Sequence, residues 1–94
     1  MTIVVSPQAR DDIGEAYRRV AVDSPEIANR FLARVAEIIG LLAAGGVEGR
    51  IVRLHDGRTV QTWPIPPYRL YYRKSADTFQ VVRLYHQARR PIEG

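Results

Sequence analysis

Five side chains near the C-terminal end carry groups that could cleave RNA. His86 and Tyr85 stand side by side, and Arg69, Arg83 and Arg89 lie on the same stretch of chain. Attack by a ribose 2′-hydroxyl on its own phosphate needs a base for that proton, an acid for the leaving oxygen and cations for the charge building on phosphorus. His86 or His55 would serve as base or acid, Tyr85 would assist, and the three arginines would hold the phosphate. The same residue types also suit plain binding, because guanidinium groups seek phosphate and carboxylate while flat rings stack on bases. On that reading Arg69, Tyr71, Arg73, Arg83, Tyr85, Arg89 and Arg90 form a candidate surface for a target or a partner chain. The two histidines stand 31 positions apart, which matches no zinc spacing, so neither a metal nor a cofactor is expected.

Two strands must position these groups. In Tyr68-Arg69-Leu70-Tyr71-Tyr72-Arg73-Lys74, period-two alternation puts Arg69, Tyr71 and Arg73 on one face and Leu70 and Tyr72 on the other. Thr78 to His86 repeats the pattern after Ser75-Ala76-Asp77, with Arg83 and Tyr85 on one parity and Val82, Leu84 and His86 on the other. Paired as a hairpin, the runs set arginine beside tyrosine on one face. The plain alternative is a solvated sheet face, since antiparallel sheets commonly show one side to water. By the same parity His86 is a hydrogen-bonded residue at a strand end on the core side, and His55, beside Asp56-Gly57, is a turn residue. Tyr17 and Tyr72 fall on apolar faces and are expected in the core, and Trp63 is expected to pack on the sheet.

Upstream, Thr2 to Val5 reads as a first strand, and Ser6-Pro7 supplies an N-cap followed by proline at the first helical position. Ala9, Ile13, Ala16, Tyr17 and Val20 then recur at helical spacing. Asp23-Ser24-Pro25-Glu26 repeats the start signal, and Ala28, Phe31, Leu32, Val35, Ile38, Ile39 and Leu42 form a second stripe that ends before Gly45-Gly46. A brief connection between two amphipathic helices predicts an antiparallel hairpin whose apolar face needs a sheet. Asp56-Gly57 resembles a two-residue turn between Ile51–His55 and Arg58–Trp63, and Pro64-Ile65-Pro66-Pro67 is expected to break the ladder. The fold class is therefore α+β: a first strand, then an antiparallel helical hairpin packed on a twisted antiparallel sheet of three to four strands.

The totals frame this reading. Ninety-four residues make one domain, 1–94, with a modest core. Without cysteine there is no disulfide framework or thiolate metal site, which suits a reducing compartment, so the cytoplasm is the expected location. No stretch approaches the roughly 18 apolar residues of a membrane span, and no membrane is expected. The net charge of +4 is uneven: residues 1–49 hold five basic and seven acidic groups, residues 50–94 nine and three. A C-terminal half at +6 favours a polyanionic partner, either nucleic acid or an acidic chain.

Over its whole length the chain resembles the RelE/ParE superfamily of bacterial type II toxins. The features that carry the resemblance are Ser6-Pro7-Gln8-Ala9, Gly49-Arg50, Tyr68-Arg69-Leu70-Tyr71-Tyr72-Arg73 and Val82-Arg83-Leu84-Tyr85-His86-Gln87-Ala88-Arg89-Arg90. The resemblance implies a helical hairpin on one face of a twisted antiparallel sheet, and a cognate antitoxin partner. ParE-like members poison DNA gyrase by binding, whereas RelE-like members cut messenger RNA in the ribosome. His86-Gln87-Ala88-Arg89 is similar to the ParE-like ending, and Pro91-Ile92-Glu93-Gly94 lacks the Tyr or His that the nuclease subgroup places near its C-terminus. The ParE-like subgroup, with gyrase as target, is therefore the expectation; the alternatives are the ribosome with its message, and a fold relative that poisons nothing and only binds its partner. The antitoxin is expected to be acidic, laying apolar groups along the helical hairpin and carboxylates near the Arg/Tyr face.

Overall fold

A computed structural model describes residues 1–94. Strand β1 (Thr2–Val5) leads into helices α1 (Pro7–Ala21) and α2 (Pro25–Ala44), followed by β2 (Arg50–Arg53), β3 (Thr59–Ile65), β4 (Tyr68–Lys74) and β5 (Thr78–His86). The sheet has five strands in the order β1-β5-β4-β3-β2, not three or four. Two segments account for the difference. β1 joins β5 in parallel, Thr2 opposite Thr78 through Val5 opposite Val81, so the sheet is mixed. Arg50–Arg53 is a true strand, antiparallel to β3.

Both helix starts follow the sequence. Ser6 Oγ accepts from the Ala9 N–H at 3.0 Å, and Ser24 Oγ from the Ile27 N–H at 3.2 Å, satisfying donors that lack a partner in the first turn. Gly45 closes α2 with φ 81°, a left-handed position that glycine adopts without strain. The hairpin packs Ala9, Ala16, Val35, Ile38, Ile39 and Leu42 onto Ile65, Leu70, Tyr72, Phe79, Val81 and Leu84. Tyr72 is fully buried as expected, stacked on Phe79 at 4.9 Å, and Trp63 packs at the margin of this core. Two helical positions depart from the stripes. Tyr17 is only half-buried and donates its hydroxyl to Asn29 Oδ1 at 2.8 Å, linking the two helices instead of entering the core. Leu32 is 40% exposed.

The β4–β5 hairpin departs from simple parity. Tyr71 pairs with Arg83, but its neighbour Tyr72 pairs with Val81, so Val82 is the extra residue of a bulge. Arg83, Tyr85, Leu84 and His86 keep their expected relation, and Val82 moves to the face opposite the helices. Pro64 does not break the ladder: it lies inside β3 opposite Arg69. β2 reaches only as far as Thr62, so the proline nitrogen faces an edge without a partner strand, where a missing N–H costs nothing. The β2–β3 connection is also wider than two residues, running from Leu54 to Arg58 with Gly57 at φ 92°.

At the bulge, α1 takes over from β1 as the neighbour of β5. The Ser6 N–H donates to the Val81 carbonyl at 3.0 Å and its hydroxyl to the Val82 carbonyl at 2.9 Å. Asp12 then accepts from the Leu84 N–H at 3.1 Å and from Arg83 through both oxygens, at 2.7 and 3.1 Å. Side-chain exposures of 19% for Arg83 and 12% for Asp12 put this pair largely out of water. Removing one partner leaves a poorly hydrated cation and an orphaned strand-edge N–H. Asp12→Ala is therefore expected to cost about 2–4 kcal/mol in urea unfolding. Asp12→Asn keeps an oxygen for the Leu84 N–H and should cost roughly half as much; equal stability of all three chains would refute this account.

Candidate functional site

Arg69, Tyr71, Tyr85 and Arg89 meet at one end of the sheet face that the helices leave uncovered. Register makes the cluster, since Arg69 lies opposite Tyr85 and Tyr71 opposite Arg83, an alternation of guanidinium and ring across β4 and β5. With His86, Gln87, Pro91 and Glu93 they line a cleft of about 190 Å³. Arg69 is half-buried and donates from Nε to Thr62 Oγ1 at 3.2 Å. It takes part in none of the five ion pairs, so its remaining guanidinium donors are free to meet an incoming anion.

The other arginines divide. Arg89 contacts Glu15 Oε1 of α1 at 2.6 Å, and this hydrogen bond holds the Glu15 carboxyl below and the Arg89 guanidinium above their ordinary values. Both groups are in water, so the pair is weak and exchangeable. Arg83 is not available: Asp12 clamps it, and the hydrogen bond raises its pKa. Its guanidinium lies 5.3 Å from the centre of the Tyr85 ring. Arg73 is exposed four residues along β4, roughly 13 Å from Arg69 at the strand rise, beyond the cleft. Arg90 is exposed, and its carbonyl accepts from the Tyr85 hydroxyl at 2.7 Å.

His86 is half-buried beside Tyr68, ring edge to face at 5.0 Å, and its Nδ1 accepts the Ala88 N–H at 3.0 Å. Nε2 makes no hydrogen bond within the protein. His55 sits in the β2–β3 loop, where its N–H donates to the Ile92 carbonyl at 2.7 Å.

The largest correction concerns Tyr71, which simple alternation puts on an open face. It is 3% exposed. The last eight residues fold back across the sheet, and Ile92 closes a second apolar cluster made of Val52, Leu54, Val60, Tyr71 and Val82. Glu93 forms an antiparallel bridge with Leu54, accepts from the Tyr71 hydroxyl at 2.6 Å and pairs with Arg50 at 3.3 Å. The sequence gives a weak sign of this return: Ile92 is an isolated aliphatic residue beyond the last strand, with nothing else near it to bury against.

A family model described as the ParE toxin of the type II toxin-antitoxin system, parDE, matches residues 3–91. Among solved structures, the chain is similar to the chromosomal ParDE toxin–antitoxin system from P. aeruginosa. The two are 21% identical, with 92% of this chain and 95% of that chain covered and a TM-score of 0.70, a likeness of fold. No curated protein matches the chain.

Burial, then the hydrogen bond to Glu93, pushes the Tyr71 phenol well above its usual 10.0. An acid whose pKa rises on folding keeps its proton in the native state while the unfolded chain loses it. Its stabilising contribution is complete below about pH 10 and is lost as pH climbs toward the folded value. Stability is therefore expected to fall above about pH 10, by up to about 1.4 kcal/mol per pH unit for this group. Tyr71→Phe should flatten that slope; an unchanged slope would show that the phenol is not held protonated.

Proposed function

The chain belongs to the ParE toxin family of type II toxin–antitoxin systems, and on that footing we propose that it stops growth by binding and poisoning DNA gyrase, with a cognate acidic antitoxin as its antidote. The observation that carries a binding mechanism is the state of the groups a nuclease would use. Tyr85 donates its hydroxyl to the Arg90 carbonyl, Arg83 is tied to Asp12, and Arg89 is paired with Glu15. General acid–base catalysis needs a group free to exchange a proton with substrate. A binder needs only free cations and ring or apolar contact on a rigid face, which Arg69 and Arg90 supply beside Tyr85, with Arg73 exposed further along β4.

A nuclease acting on ribosome-bound messages is the competing reading, and one observation favours it: the unengaged Nε2 of His86 belongs to a ring that lines the same cleft as Arg69 and Arg89. For the antitoxin, the hairpin offers Ile27, Leu32 and Leu41 at 40–50% exposure, apolar groups that a second chain would cover. No helix of the chain is long and apolar enough to cross a membrane. The half with net charge +6 supplies the field for an acidic antidote, and we place this encounter in the cytoplasm.

Expression in the native host is expected to stop growth, with DNA breaks, filaments and intact messages, and co-expression of the neighbouring acidic reading frame should restore it. Arg69→Glu with Arg89→Glu should abolish the arrest while the protein stays folded, whereas His86→Gln should change the arrest less than tenfold. Removing a catalytic base or acid costs about a hundredfold to ten-thousandfold. Messages cut on translating ribosomes, with cutting lost in His86→Gln, would therefore replace gyrase by RNA as the target.

A further inference from the structure

The surface beneath residues 87–94 has the chemistry of a peptide-binding groove whose present occupant is the chain itself. Its floor is the apolar cluster of Val52, Val60, Tyr71 and Val82, and Ile92 supplies the aliphatic group that closes it. One residue on, the Glu93 carboxylate is shared between the Tyr71 hydroxyl and Arg50. The backbone is read as well. The His55 N–H donates to the Ile92 carbonyl at 2.7 Å and the Gly94 N–H to the Arg53 carbonyl at 2.8 Å, which makes Leu54 and Glu93 a non-hydrogen-bonded antiparallel pair. An extended strand, an aliphatic side chain and then a carboxylate are three separate requirements, all met on one short segment.

The occupant is poorly matched in charge. The segment brings Arg89 and Arg90 against residues 50–86, which carry seven basic and two acidic groups, +5, without it, and Glu93 is its one acidic group. Its attachment is also slight. Arg50 is 60% exposed in its pair with Glu93, Ile92 is half-exposed, and the ladder is a single bridge. Contacts of this kind open locally far more readily than a core strand. We propose that an extended, acidic stretch of the antitoxin, with an aliphatic residue followed by a carboxylate, takes the place of Ile92 and Glu93 on this sheet face and displaces the segment. This rests on the chain having an acidic antitoxin. Such a stretch reproduces both side-chain contacts and the backbone pairing, and it replaces a like-charge approach with an attractive one.

The test uses an acetylated, fluorophore-labelled hexapeptide of alternating isoleucine and glutamate, titrated into the full chain. Leu54→Cys with Glu93→Cys is the first variant, since paired residues about 4.5 Å apart lie within disulfide reach and the chain has no other cysteine. Its reduced form is expected to bind the peptide at least tenfold more tightly than its oxidised form, in which the segment is locked down. In the cysteine-free chain, Glu93→Gln should tighten peptide binding severalfold, because it weakens only the competitor. A matching peptide of alternating serine and glutamate should bind at least tenfold more weakly. Equal affinity of the two redox forms, weaker binding to Glu93→Gln, or equal affinity for the two peptides would each overturn the proposal. None of these readouts depends on growth arrest or on its target, so the cellular assays above stand or fall separately.

Discussion

β1 runs out at Val5 while β5 continues to His86, and the way the protein satisfies the exposed edge between those points governs how the rest is placed. A strand edge presents donors and acceptors that must find partners. Here a helix supplies them. Ser6 ends β1 and caps α1 with the same hydroxyl, accepting from Ala9 and donating to Val82, so strand end, helix start and bulge are fixed at one point. Two turns into α1, Asp12 takes the Leu84 N–H and the Arg83 guanidinium together. The carboxylate thus serves as a ladder partner, and the same contact withdraws one arginine from the surface. With α1 fixed along this edge, Glu15 lies one turn further on, where it reaches Arg89.

The bulge at Val82 also explains why the face away from the helices is not simply wet. Without it, Val82 would share a side with Leu84 in the main core; with it, Val82 joins Val52, Val60 and Tyr71 opposite the helices. Four apolar groups together need a cover, and the returning C-terminal segment provides one. The sheet is therefore packed on both sides, by a helical hairpin on one and by eight residues of chain on the other. Only the margin of the second side, around Arg69 and Tyr85, keeps a basic and aromatic surface open.

The sequence made the local signals legible and the long-range ones obscure. Ser-Pro starts, the Gly45 stop and the two hairpin strands could be read because each depends on neighbours within four residues, where helix and strand periodicity act. The parallel pairing of β1 joins residues about 76 apart, and a four-residue β-branched run gives no sign of its partner. Parity counting placed Arg69 and Tyr85 correctly but failed at Val82, since one inserted residue inverts the facing of whatever lies beyond it. The fate of the arginines was the least visible part. Nothing in an arginine at position 83 distinguishes it from one at 69; the difference is a carboxylate 71 residues away.

That difference sets the character of the site. Three carboxylates from distant parts of the chain, Asp12, Glu15 and Glu93, each engage one arginine on or beside the β4–β5 surface, and the three pairs differ in exposure. Asp12–Arg83 is largely buried, whereas Glu15–Arg89 stands in water and Glu93–Arg50 is open on its arginine side; exposed pairs are worth about 0–1 kcal/mol and are screened by salt. An incoming anionic chain meets little resistance in exchanging with the exposed pairs and cannot exchange with the buried one. The protein thus presents cations that are occupied when it is alone and available when a stronger acidic surface arrives. On the binding mechanism proposed above, such a surface would serve target and antidote in turn, because whichever chain holds the exposed arginines denies them to the other.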